Sequence, residues 1–310
     1  MRAGPLVGIR AAACYDRARI ATPIREMSSS PEPLNVRLGF RSTDRVVVLN
    51  ADDGGYALAI NEAIERTLRA GAARTTTLMA PTPWVADMAR RVREGGFRAG
   101  VHLTATSEFE GLRFGPLVGD AAPSLRDGIG YFPRERADLE AQASADDCRR
   151  EWRAQVERVI GLGVAPTHLD CHMGVYHFRE DLFEVALDLA REFRLTLRDG
   201  WPPRLADLQA RGFGVVDQLL WTAPHEPAER ERFFRETIET LPPGVTEVIL
   251  HPADDGPDWR ALAGADAGHR LVDTKLFAGP DARAWIEALG VKIASYADLQ
   301  ALTYEKGTPS

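Results

Sequence analysis

One pattern narrows the fold more than any other: from Arg45 onward, short β-rich apolar runs alternate with segments of helical periodicity. The run RVVVLN (45–50) is continuously apolar, as a strand covered on both faces requires. It leads into YALAINEAIERTLRAG (56–71), where Ile60, Ile64 and Leu68 share a helical face and Gly71 is a stop. Strand signals then fall at TTTLMA (75–80), AGVHLT (99–104), THLDCH (167–172), RLTLRD (194–199), GVVDQLL (214–220), TEVILHP (246–252) and KIASY (292–296). Helical patterns separate them, among them WVADMARRVREGG, EDLFEVALDLAREF, ERERFFRETIETL and ARAWIEALG. In DDCRREWRAQVERVIGLG, the residues Trp152, Val156, Val159 and Ile160 fall on one side. Residues 105–145 are polar, rich in Gly and Pro, and without strong periodicity.

Seven or eight βα units over residues 44–310 predict a single α/β domain. Its expected form is a (β/α) barrel of the TIM type, complete or distorted. An open doubly wound sheet is the alternative, but the first turn, NADDGGYA, lacks the G-x-G-x-x-G dinucleotide fingerprint. Residues 1–43 are expected to be an N-terminal extension. Arg2, Arg10, Arg17, Arg19 and Arg25 face only Asp16 and Glu26 there, and SSSPEP reads as linker. The expectation is a largely disordered or wrongly assigned start, with Met27 as the real first residue, in preference to a targeting leader.

Of 310 residues, 45% are hydrophobic and 27% charged, ample for a large core. The net charge of −7 comes with no basic stripe, which argues against nucleic acid. No apolar run nears the roughly 18 residues of a membrane span. Three scattered cysteines, Cys14, Cys148 and Cys171, suit a reducing compartment, hence the cytoplasm. A homodimer is left open.

Polar residues collect at the C-terminal ends of the strand signals, the ends that converge on the mouth of a barrel. Asp52 and Asp53 close the first, His102 lies in the third, and His168, Asp170 and His172 lie in the fourth. Arg198 and Asp217 belong to later strands, and His251 follows the last long one. Two adjacent acids after a buried strand are costly unless they are paired or hold a metal. In THLDCH a period of two puts His168, Asp170 and His172 on one face, with Leu169 and Cys171 on the other. Asp and His donors with room for water suit Zn2+, Mn2+, Co2+ or Mg2+ at an open site. One acid of the Asp52–Asp53 pair can then bind metal while the other stays free as a base, since adjacent strand side chains diverge. Asp53 could also cap the following helix.

The segments RVVVLNADDGG, TTTLMAPTPW, GVHLTATSEFEG, PTHLDCHMG and TEVILHP together resemble the YdjC-type carbohydrate deacetylases, kin of the polysaccharide deacetylases. The likeness extends from about Leu34 to Leu302. It implies a distorted TIM-type barrel and one divalent metal, Mg2+ or Zn2+, with Mn2+ or Co2+ as further choices. It implies Asp53, His102 and His172 as ligands, Asp52 as base and His251 as acid. The expected reaction is deacetylation of an N-acetylated sugar, a small-molecule partner. Two departures bear on substrate contacts: Gly54-Gly55 stands where Phe-Gly is usual, and Met173-Gly174 where the histidine run often continues.

Amide hydrolysis needs an activated water, a stabilised oxyanion and a proton for the departing amine, so base and acid are separate groups. Phe109, Phe114, Tyr131, Phe132 and Trp84 are candidate sugar platforms. His168, Asp170, Arg198, Asp217, Arg270 and Asp273 are candidate substrate or supporting groups. A phosphoesterase would want basic residues at the mouth, which are few in the strand-end pattern. A non-catalytic sugar-binding barrel would need neither Asp52 nor His251.

Overall fold

The computed structural model describes residues 32–220 and 223–304, which fall in the compact unit Glu32–Ser310. The leader and Cys14 lie outside these residues. Eight strands pair throughout in parallel: β1 Arg45–Gly54, β2 Thr75–Leu78, β3 Arg98–Leu103, β4 Pro166–Cys171, β5 Thr196–Leu197, β6 Gln218–Leu220, β7 Gly244–Leu250 and β8 Lys292–Ala294. Their order is β5-β4-β3-β2-β1-β7-β6. That is a seven-stranded barrel opened between β5 and β6, and it excludes the doubly wound alternative, whose order reverses about a switch point. The eighth strand lies beside Val46–Val48 of β1, below the stretch Asn50–Gly54 that β2 occupies.

Alternation along β1 sorts the core. Val47, Leu49 and Ala51 pack outward with Ile60, Ile64 and Leu68 of helix Leu58–Ala70, which ends at Gly71 with φ 80°. Val46 and Val48 face inward, where Val216, Val245, Tyr296 and Leu299 plug the base of the lumen. The next inward positions are Asn50 and Asp52, so the lumen grades from apolar at its base to acidic at its mouth. Strand β4 behaves alike, with Leu169 and Cys171 in the outer core as the period of two requires.

Several boundaries differ from the sequence expectation. GVVDQLL supplies only three strand residues, and RLTLRD only two. In helix Ala145–Gly161, Trp152, Val156 and Val159 are buried but Ile160 is 44% exposed, because it lies one step off the apolar stripe. Within the stretch expected as extension, Leu34 is buried in the basal cluster, and Asn35 donates to the carbonyls of Arg41, Ser42 and Asp44 at 3.1, 3.1 and 3.0 Å. Residues 34–44 are therefore part of the folded body. The 105–145 stretch holds two short 3-10 turns and the helix Arg136–Gln142. No helix among the described residues is long and apolar enough to cross a membrane.

Candidate metal centre

The central problem is how one strand can turn two adjacent carboxylates into one lumen. The β1–β2 register answers it: Ala51 pairs with Thr76 but Gly54 pairs with Leu78, so β1 carries one extra residue. This bulge has Asp53 at φ 68°, a left-handed conformation uncommon outside glycine. A regular strand would aim Asp53 at the outer helices. The bulge brings it back, so the expected divergence of the two acids is corrected: both reach the neighbourhood of His102.

Asp53 Oδ1 lies 3.3 Å from His102 Nε2 and 3.3 Å from His172 Nδ1, and Oδ2 lies 2.7 Å from Arg270. Neither oxygen accepts a hydrogen bond of good geometry, although the residue is 1% exposed. The donor atoms of Asp53, His102 and His172 fall within 4.8 Å of one another. A buried Oδ1 without a hydrogen bond, facing two imidazole nitrogens while Oδ2 is paired with Arg270, fits a divalent ion. A second group, Asp52, His102 and Asp170, meets the same distance. Its carboxylates, however, are already taken by Arg198.

Arg198 sits at the centre of the lumen. It donates to both Asp52 oxygens at 2.7 and 2.8 Å, reaches Asp170 at 2.7 Å, and donates through Nε to Glu247 at 2.9 Å. Asn50 donates to Asp52 at 2.7 Å, and the Tyr296 hydroxyl donates to Glu247. Burial works to raise the Asp52 pKa, but the Arg198 charge outweighs it and holds the carboxyl at about 2. Burial likewise opposes protonation of His102 and His172, yet Asp170 raises the first to about 10 and Glu108 the second to about 9, with Asp53 aiding both. His251 differs: burial pushes it down to about 3, with Arg270 and Arg230 assisting against Asp53 and Asp52.

The other residues fall into place by register. Ala51 pairs with Leu250, so His251 follows beside Asp52. Asp273 accepts the His251 backbone N–H at 2.8 Å, and its two oxygens accept from Nε and Nη2 of Arg230. His168 lies one layer below the mouth, stacked at 3.6 Å on Tyr296 and covered by Gly100, where a Cβ would come within 2.5 Å of the ring. It is a core residue. Asp217 is not brought to the site: it accepts the Val245 N–H at the N-terminal end of β7, the far end of the barrel.

The mouth is richer in basic residues than the sequence suggested. Arg198, Arg230 and Arg270 are all there, but each is engaged by carboxylates and leaves little charge for a phosphate. Among the aromatic candidates, Phe132 and Phe114 are core, and Trp84 and Tyr131 are 40% and 38% exposed. Phe109 packs edge-on against Tyr56 and Trp259. The Gly54 departure concerns packing, since a Cβ there would meet the Thr77 carbonyl at 2.7 Å and Met88 at 3.0 Å. Met173, at φ 54° and 38% exposed, does stand on the rim.

Sequence reasoning missed Glu108, Glu247, Asn50, Tyr56 and Arg230. Glu247 was within reach of it, because Val245, Glu247, Ile249 and His251 share the inward period of β7. Glu108, in an irregular segment, had no such signal.

A model of the YdjC-like proteins matches residues 46–288. A carbohydrate deacetylase of Thermus thermophilus is 34% identical over 236 residues, covering 70% of this chain and 81% of the relative. Another, of Geobacillus stearothermophilus, is 30% identical over 261 residues, covering 83% and 99%. A crystal structure from Enterococcus faecalis V583, provisionally named for cellobiose-phosphate cleavage, superposes with a TM-score of 0.70 at 24% identity, covering 83% of this chain and 99% of that one. The last is a likeness of fold.

Proposed function

The chain belongs to the YdjC-like family, and from that premise we propose that it is a carbohydrate deacetylase, removing the acetyl group from an N-acetylated sugar or oligosaccharide. The buried Asp53–His102–His172 set carries the reading. Its Asp53 Oδ1 and two imidazole nitrogens converge on one buried point, and taking such groups out of water is costly unless they are paired or hold an ion. Mg2+ or Zn2+ would be held by these three, with Mn2+ and Co2+ chemically admissible. Such an ion supplies Lewis acidity, lowering the pKa of water and drawing charge from the acyl oxygen.

The chain's own residues supply the rest. Asp52 is ionised beside the ligand Asp53, and it takes the proton that the attacking water sheds. Arg198 grips both of its oxygens, which orients the carboxylate at some loss of basicity. His251, beside Asp52 across the β1–β7 ladder, delivers a proton to the amine nitrogen, because an amide anion is too basic to leave. Its resting imidazole is neutral, so it first takes up a proton within the cycle, and the one received by Asp52 is at hand. Two buried free thiols, Cys148 and Cys171, accord with work in the cytoplasm.

The test is acetate release from a panel of N-acetylated sugars and O-acetylated esters, by chelated protein and after addition of each of the four ions. Release from an N-acetylated sugar, lost on chelation and restored by an ion, is expected. Release indifferent to chelation, or none with any ion, overturns the reading.

A further inference from the structure

We infer that Glu108 is a positioning residue for His172: it takes the Nε2–H of that imidazole and so leaves Nδ1 as the nitrogen that faces the ion. The inference rests on the reading of Asp53, His102 and His172 as ligands. Both imidazoles are held from behind by a carboxylate, but through opposite nitrogens. His102 turns Nε2 to Asp53 and gives Nδ1 to Asp170 at 2.7 Å. His172 turns Nδ1 to Asp53 and gives Nε2 to Glu108 at 3.0 Å. A neutral imidazole has one N–H, so the carboxylate behind it selects which lone pair points forward. Such partners also raise the basicity of a ligating histidine and fix its ring.

The two carboxylates differ in how they are mounted. Asp170 is on β4, fully buried, and tied to Arg198. The Glu108 side chain is 23% exposed and belongs to the irregular segment after β3. Its neighbour Phe109 seats that segment, with ring centroids 5.5 Å from Tyr56 and 5.8 Å from Trp259. The Tyr56 ring in turn lies 6.0 Å from that of His172. Glu108 therefore reaches His172 while the segment rests on Tyr56 and Trp259, which couples the seating of a loop to the aim of a ligand.

The test uses Co2+ as the probe, with affinity from chelator competition and ligand geometry from the visible absorption spectrum, in the full chain. Glu108→Ala is expected to weaken Co2+ binding by roughly 10–100-fold and to change the spectrum. Glu108→Gln, whose amide oxygen still accepts the Nε2–H, is expected to keep most of the affinity, and it also serves if the alanine variant fails to fold. Wild-type affinity and spectrum in Glu108→Ala overturn the inference. So does an equal loss in both variants with the spectrum of a site short of one donor, which would make Glu108 itself a ligand. His102→Ala separates the two levels: if it retains Co2+, the ligand set is wrong, whereas loss there with no effect at Glu108 refutes only the positioning role.

Discussion

The two halves of the sheet hold the mouth by different means. From β7 through β1 to β4, backbone register does it: Leu250 beside Ala51 sets His251 next to Asp52, and His102 pairs directly with Asp170. Across the β5–β6 opening, strands of two and three residues share no ladder among the described residues. There the work passes to side chains, with Thr196 donating to the Gly214 carbonyl at 2.9 Å and Arg198 binding carboxylates from β1, β4 and β7. A ladder keeps its geometry when one side chain is lost. A charge network does not, because each remaining partner is then buried and uncompensated.

The largest effect falls at Arg198, which holds the open edge. Arg198→Met leaves Asp52, Asp170 and Glu247 without the Arg198 charge, and a loss of about 3–5 kcal/mol is expected, a large fraction of the roughly 5–15 kcal/mol by which domains are stable. Urea unfolding measures it, and a loss below about 1 kcal/mol would show that the open edge does not depend on the network. On the laddered side, His102→Ala should leave the fold intact by circular dichroism while metal affinity falls by more than the roughly 100-fold typical of a supporting residue. Full occupancy there would remove His102 from the ligand set. A smaller effect is expected for Asp52→Asn, which keeps its shape against Arg198 and its metal but loses turnover about 10²-fold or more. If metal leaves with it, the roles of the two acids are exchanged. For His251→Ala, amide turnover should suffer about 10²-fold more than turnover of an activated ester, whose leaving group needs no proton. Equal losses in kcat/KM would assign His251 to orientation.

The smallest effect is one of protons. Without metal, His102 and His172 titrate at about 10 and 9, so both are charged at pH 7 and must deprotonate to bind an ion. Zn2+ uptake at pH 7 should therefore release protons, and affinity should rise with pH until those values are passed. The sign for stability is the reverse: the raised pKa values stabilise the metal-free fold at low pH, and that contribution is lost as pH climbs through 9 and 10. Calorimetry in buffers of different ionisation enthalpy reads the release, and none at pH 7 would mean the histidines are already neutral.

Much of this was legible in the sequence. Strands β1 and β7 announce themselves by apolar runs, β2 by β-branched residues and β4 by its period of two, and His102, His172 and His251 fall at strand ends because a parallel strand has one polar end to offer. The helix Gly268–Phe277 was not legible, since Arg270, Asp273 and Thr274 on its buried side break the apolar period that would reveal it. Glu108 escaped because an irregular segment has no period at all. Asp217 was misplaced because the visible run GVVDQLL pairs only over its last residues, which leaves the acid at the wrong end of the barrel.

The extra residue in β1 has a consequence for anyone wishing to transplant this chemistry. A regular strand can write only every second letter of its sequence into a lumen. Here two consecutive letters are written, and the grammar that permits it is the backbone at Asp53, not the pair of acids. Copying Asp-Asp onto the end of an ordinary barrel strand would deliver one carboxylate to the cavity and bury the other among helices. A successful graft must carry the irregularity along with the side chains, and must put at the second position a residue that tolerates a left-handed turn.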